Sequence, residues 1–355
     1  MRRRNASGKG PGLLAAAIIA FTAAGLCSLP VRAEISGQAF VPSDSSSPAL
    51  PEIQGHQSQQ ATHSKHEADS LLSQVMPSGA APQAVKLTAE AAQASLAAQP
   101  SFKGWKNANL TFSPLGPGTH AWLVLVQTAG ESAGYMIISQ GKDGSLQLNE
   151  YGTGSLPPFS LNVLKPVIES LAAAAQTTTK NIRVIPVYEE PALVYWTVQS
   201  PAWEQTLYID AFTGQDLPLE EPGWRSKLEQ AASSAGMASP LTDSALTDTY
   251  SSLADHNPYA DLAWVQQKPL SLQSSSEFEE ALQASPRMIY SAQGLNYVFN
   301  SPFTVGGYQQ WSSGDSATDG ILYVRTEYTG QMTRYLPFSR LAAAGAFYTL
   351  ENEGH

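Results

Sequence analysis

Gly130-Glu131-Ser132-Ala133-Gly134 matches the G-x-S-x-G pattern, in which a serine on a tight strand-to-helix turn exposes its oxygen while neighbouring amides stabilise an oxyanion. That chemistry needs a helix after the serine. Here Tyr135-Met136-Ile137-Ile138 follows, a strand pattern, so the motif reads as a hairpin turn, with a serine hydrolase as the remote alternative. His63-Ser64-Lys65-His66, with His56 nearby, offers imidazoles for Zn²⁺ or Cu²⁺ only if a helix brings them together, and Lys65 between them opposes a cation. Asp315, Asp319 and Glu327 are carboxylates beside aromatic residues, as in a glycosidase pair, but 315–320 reads more simply as a polar loop. His120 reads as a strand-edge residue. No catalytic residue, metal or cofactor is assigned.

The single cysteine, Cys27, lies in an N-terminal segment that reads as an export signal. Arg2, Arg3, Arg4 and Lys9 precede the apolar run Leu13 to Leu26, and Val31-Arg32-Ala33 offers a small-residue cleavage site. The run is short for a membrane span, which needs about 20 residues. Leu26 is too large for the residue that precedes a lipidated cysteine. Cleavage after Ala33 removes five basic residues and no acidic one, taking the net charge from −10 to about −15 and leaving no thiol for a disulfide. The expectation is a secreted, bacterial-type chain with no stable membrane span once the signal is cut. An acidic chain without a Lys/Arg cluster after residue 33 is not a nucleic-acid binder.

The elements that position these groups follow from patterning. Only 14% of residues are charged, against roughly a quarter in an average domain, and Gly (27) and Pro (24) are frequent, so strand and turn should dominate. Residues 34–85, rich in Ser, Gln, Ala and Pro, read as a disordered tether. Residues 219–254 read as a linker with a short helix at 226–235. Between them lies an internal repeat. A helix over Leu87–Gln99, with Thr88 as its cap, is matched by one over Leu164–Gln176. Each is followed by a strand pair: Ala121–Gln127 with Tyr135–Ser139, and Ala192–Gln199 with Thr206–Asp210. Asp143-Gly144 and Thr213-Gly214 close the two copies. The repeats span 86–158 and 159–218.

The second copy, Trp196-Thr197-Val198 crossing a turn to Leu207-Tyr208-Ile209-Asp210-Ala211-Phe212-Thr213-Gly214, resembles the PepSY domain, whose strand ends in a hydrophobic, Asp, Ala, variable, Thr, Gly pattern. The match covers about 160–218 well and 86–150 more loosely, with Ser139 standing where Asp210 stands in the second copy. The resemblance implies a helix packed on an antiparallel sheet and a non-catalytic role, since such modules occur in peptidase propeptides and secreted bacterial proteins. An envelope or secreted peptidase is the partner it implies.

Residues 255–355 alternate apolar and aromatic positions, with strands expected at Met288–Tyr290, Asn296–Phe299, Gly320–Arg325 and Met332–Tyr335 and a short helix at Ser339–Gly345. Twelve aromatics fall between Tyr290 and Tyr348, about one residue in five against 9% for the whole chain. Tyr308 and Trp311 are expected at a surface, stacking on wall glycan or docking a peptide. Trp196 and Tyr208 are the matching candidates on the second repeat. The fold class is therefore α+β: a helix on an antiparallel sheet, used twice, then a β-rich C-terminal domain.

Overall fold

The computed structural model describes residues 75–76, 79–116, 120–141, 144–218, 244–252, 257–292, 294–295, 299, 301–313, 320–328 and 332–350. The expected export signal, the histidines at 56, 63 and 66, the 226–235 helix and the Asp315–Asp319 loop lie outside them.

Helix α1 (Gln83–Ala97) presents Val85, Ala89, Ala92 and Leu96 on one buried stripe, the spacing a helix needs to cover a sheet. It starts earlier than the sequence suggests. Thr88 is not a cap; its hydroxyl donates to the Ala84 carbonyl at 3.0 Å within the helix. The C-terminal end of the expected tether is likewise folded, because Val75, Ala81 and Val85 bury apolar side chains and the Gly79 amide donates to the Phe112 carbonyl at 3.0 Å. Strands β1 (Asn109–Leu115), β2 (Ala121–Thr128), β3 (Glu131–Gln140) and β4 (Leu146–Gly154) follow as an antiparallel meander.

The second unit has helix α2 (Leu161–Ala174), then β5 (Arg183–Glu190), β6 (Leu193–Gln199) and β7 (Leu207–Asp210), which form their own three-stranded antiparallel sheet. The helix and first three strands of unit one begin at Gln83, Asn109, Ala121 and Glu131, and those of unit two at Leu161, Arg183, Leu193 and Leu207, so the internal repeat is visible in the fold. Strands β1 and β5 are not evident from sequence because each carries a proline, Pro114 or Pro186. Both lie at a sheet edge, where a missing amide hydrogen is tolerated.

Residues 244–349 supply β8 (Ser244–Ser251), helix α3 (Ser275–Ala284), β9 (Met288–Ser291), β10 (Phe303–Ser313), β11 (Ile321–Tyr328), β12 (Met332–Pro337), helix α4 (Phe338–Ala344) and β13 (Ala346–Thr349). Ser274 caps α3 by accepting from the Glu277 amide at 3.2 Å. Part of the expected linker is a strand: β8 pairs with β10 and stacks Tyr250 on Tyr308 at 5.6 Å. The strands join the first meander in one sheet of ten among the described residues, ordered β1-β2-β3-β4-β12-β11-β10-β9-β13 with β8 beside β10. The junction is antiparallel β4 against β12, with Gly152 opposite Arg334. A side chain at Gly152 would stand 2.6 Å from the Thr333 carbonyl oxygen and 2.7 Å from the Tyr135 ring, so the seam requires glycine. Each half of the sheet is thus a meander preceded by a helix, and the fold is α+β.

Both faces of the large sheet are covered. On one, α1 and the 3-10 turn Pro100–Trp105 pack on Val124, Met136, Leu148, Tyr151, Trp311 and Tyr335. On the other, the second unit packs on Leu123, Tyr135 and Ile137, while α3 and α4 pack on Tyr308, Val324 and Leu336. The small sheet is buried on both sides too: Val194, Trp196 and Val198 join one cluster, Leu193 and Tyr195 the other. Among the described residues no helix is long and apolar enough to cross a membrane.

Where the second unit meets the C-terminal elements, burial pushes the Glu190 carboxyl up from 4.5 to about 7. Arg340, 3.9 Å away, offsets only part of this, and Glu189 adds to the rise. The folded state therefore takes up a proton that the unfolded chain releases. This contribution to stability is fully present below about pH 4.5 and is lost as pH rises through 7. Glu190→Gln should flatten that slope and raise the urea midpoint at pH 8, by up to about 3 kcal/mol in unfolding free energy. A wild-type midpoint that climbs between pH 5 and 8 would contradict the assignment.

Candidate interaction surface

The residues singled out by sequence fall mostly in the interior. Trp196 is fully buried, edge-on to Phe159 at 4.9 Å, and its Nε1 has no hydrogen-bond partner among the described residues. Tyr208 is half-buried against Tyr195, ring centroids 5.8 Å apart. Tyr308 and Trp311 are corrected from surface to core. Strand β10 lies between β11 and the β8/β9 pair, and its alternating side chains enter opposite, covered faces. Tyr308 donates to Asp248 Oδ2 at 3.1 Å and accepts from Gln283 Nε2 at 3.0 Å. Trp311 Nε1 donates to the Tyr151 hydroxyl at 3.0 Å, which donates to Gln309 Oε1 at 2.6 Å.

The G-x-S-x-G segment is a hairpin entry. Gly130 supplies the positive φ (86°) of the turn between β2 and β3. Gly134 lets the Trp105 ring pass so close that a Cβ there would stand 2.6 Å from it. Ser132 lies on strand β3, and its Oγ makes no hydrogen bond among the described residues. His120 is exposed, and Glu327 is exposed and paired with Arg325. Among the described residues no group of three or more His, Cys, Asp or Glu is placed to hold a metal ion.

The turn after β7 has a physical reason for its Asp, Thr and Gly. Asp210, buried at the end of β7, accepts at Oδ1 from the Phe212 amide (3.0 Å), the Thr213 amide (2.7 Å) and the Thr213 hydroxyl (2.7 Å). Gly214 then takes φ +72° beneath Val163 and Val167 of α2, 3.1 Å from where a Cβ would be. The aspartate ties the turn, and the glycine lets the helix sit on it.

A buried polar cluster joins the three parts of the chain. Arg334 of β12 pairs with Glu150 of β4 at 3.1 Å, both almost wholly buried. Tyr135 donates to Glu150 Oε1 at 2.7 Å and accepts from Arg334 Nε at 3.3 Å, while the Ala192 amide donates to Glu150 Oε2 at 2.9 Å. The Arg334 guanidinium lies 4.2 Å from the centre of the Phe212 ring. Burial, reinforced by Glu150, holds the Tyr135 phenol well above its usual range, so it serves as the donor. The cluster is a keystone rather than a site open to ligand.

What faces water is a short loop that sequence reading passed over. Tyr259, Leu262 and Val265 are 66%, 60% and 55% exposed, and with Leu87 they are, among the described residues, the large hydrophobics most open to solvent. Val265 lies on the 3-10 turn Ala263–Gln266, and Tyr259 and Leu262 precede it at the same three-residue spacing. Trp264, out of phase, is buried on Ile289 and Leu350, 5.4 Å from the Tyr348 ring, and its Nε1 donates to the Pro258 carbonyl at 2.9 Å. Asn257 Oδ1 accepts from the Tyr259 amide (2.9 Å), Asp261 Oδ1 accepts from the Ala263 amide (3.0 Å), and Arg287 holds Asp261 at 3.7 Å. The only sequence signal was the spacing of Tyr259, Leu262 and Val265.

Compared with family models, curated proteins and solved structures, the chain matches none of them.

Proposed function

We propose that this is an exported, non-catalytic binding protein that regulates an envelope or secreted peptidase through its PepSY-like units. The observation that supports this reading is the second unit itself. The Asp210-to-Gly214 turn is tied by three hydrogen bonds to one carboxylate and seated under α2, in the helix-on-antiparallel-sheet arrangement that the resemblance implies. A wall-polymer reading through Tyr308 and Trp311 has less to rest on, because both rings are interior. The test uses the full chain as bait against the envelope and culture fluid of the secreting cell. Retention of a peptidase whose turnover slows as the chain is added is expected. Peptidase activity that is neither retained nor changed at any concentration of the chain would overturn the proposal.

A further inference from the structure

We infer that the β5/β6 turn is a proton-operated latch, docked on the β4/β12 seam and on α4 while the Glu190 carboxyl is neutral and released when it is charged. Hairpin turns ordinarily lie at the surface. This one is interior: Pro191, Ala192 and Leu193 are buried, and the Ala192 amide donates to Glu150 Oε2 at 2.9 Å. Ala192 takes φ +72°, a left-handed conformation that glycine adopts freely and alanine only at a cost, so the turn is held by what it docks on rather than by its own preference.

Charge decides when the hold fails. Glu189 and Glu190 of β5 and Glu150 of β4 bring three carboxylates to this contact, against two guanidiniums, Arg334 of β12 and Arg340 of α4. Arg334 is engaged by Glu150 at 3.1 Å, and Glu189 accepts from the Tyr195 hydroxyl of β6 at 3.0 Å. Glu190 faces Arg340 from 3.9 Å, and that side chain is itself 26% exposed. The phenols of Tyr188 on β5 and Tyr135 on β3 stay neutral, because burial, reinforced by Glu150, holds both well above their usual range. A charged Glu190 therefore puts an unbalanced negative charge into a buried contact, and a neutral one does not. Burial raises this carboxyl to about 7, so the latch works around neutral pH. Released, the turn uncovers Leu193 and Tyr195, which when docked belong to the apolar cluster shared with α3 and α4.

The test is hydrogen exchange of the full chain, read by mass spectrometry in peptides covering 188–196 and, as reference, 121–128 of β2, from pH 5 to 8 with correction for the chemical exchange rate. The turn amides should exchange faster than those of β2 at every pH. Their protection should fall about tenfold between pH 6 and 8, the ratio set by a carboxyl that titrates near 7 when docked and near 4.5 when released. Glu190→Gln should remove that fall. Arg340→Met should move it to higher pH, because Arg340 is the group that lowers the carboxyl. Turn amides that exchange no faster than those of β2, protection that holds level between pH 6 and 8, or a fall that persists in Glu190→Gln would each overturn the inference. No peptidase enters this measurement, so failure of either proposal leaves the other standing.

Discussion

Arg334→Met lowers the stability of the folded chain by about 3–5 kcal/mol, the cost of leaving a buried carboxylate without its cation. Glu150 is wholly buried and has three donors: Arg334, Tyr135 and the Ala192 amide. Removing the guanidinium strips the one positive charge of that cluster and its contact with the Phe212 ring. The second substitution decides whether charge is the cause. Glu150→Gln/Arg334→Met keeps an acceptor for the Ala192 amide while burying no charge, so it should recover more than about half of the loss. Urea unfolding followed by tryptophan fluorescence measures both. A loss for Arg334→Met of under about 0.5 kcal/mol, the scale of ordinary surface substitutions, would show that the pair does not join the chain's parts.

Trp196→Ala costs about 3–5 kcal/mol, as expected when a buried indole is deleted and the space cannot close. The ring is held between the Phe159 face and the neighbouring β6 side chains Val194 and Val198. Its Nε1 lacks a partner among the described residues, so Trp196→Phe loses volume but no hydrogen bond and should cost less than half as much. Had Trp196 served as a binding platform on the surface, Trp196→Ala would leave the unfolding midpoint in place and change only ligand retention. Thermal and urea unfolding of the two variants separate these outcomes.

Much of the local structure was legible because it depends on short-range chemistry. The α2 stripe, the β2/β3 and β6/β7 hairpins, and the β11/β12 return strand follow from apolar period and turn residues. Strands β1 and β5 were hidden by Pro114 and Pro186, whose cost vanishes only at a sheet edge, and edge position is not a local property. Strand β8 was hidden by its polar residues, Thr247, Asp248 and Thr249, which are exposed while Tyr250 reaches inward. Thr88 has the composition of a cap and the position of an interior residue, because the helix continues back to Pro82.

The candidate site divides the same way. The sequence by itself determined the repeated helix-and-hairpin unit, the Asp210–Gly214 turn and the reading of Gly130–Gly134 as a hairpin entry. Each is encoded by residues close enough to bond one another. Only the tertiary structure decided which aromatics are inside. Tyr308 and Trp311 became core because β10 is an interior strand of a sheet covered on both faces, and the seam that extends the sheet, β4 against β12, joins segments far apart in the chain. The same long-range closure brought Glu150 to Arg334 and left Leu262 and Val265 outside. Burial is a property of what lands on a residue, and no periodicity within a segment states what will.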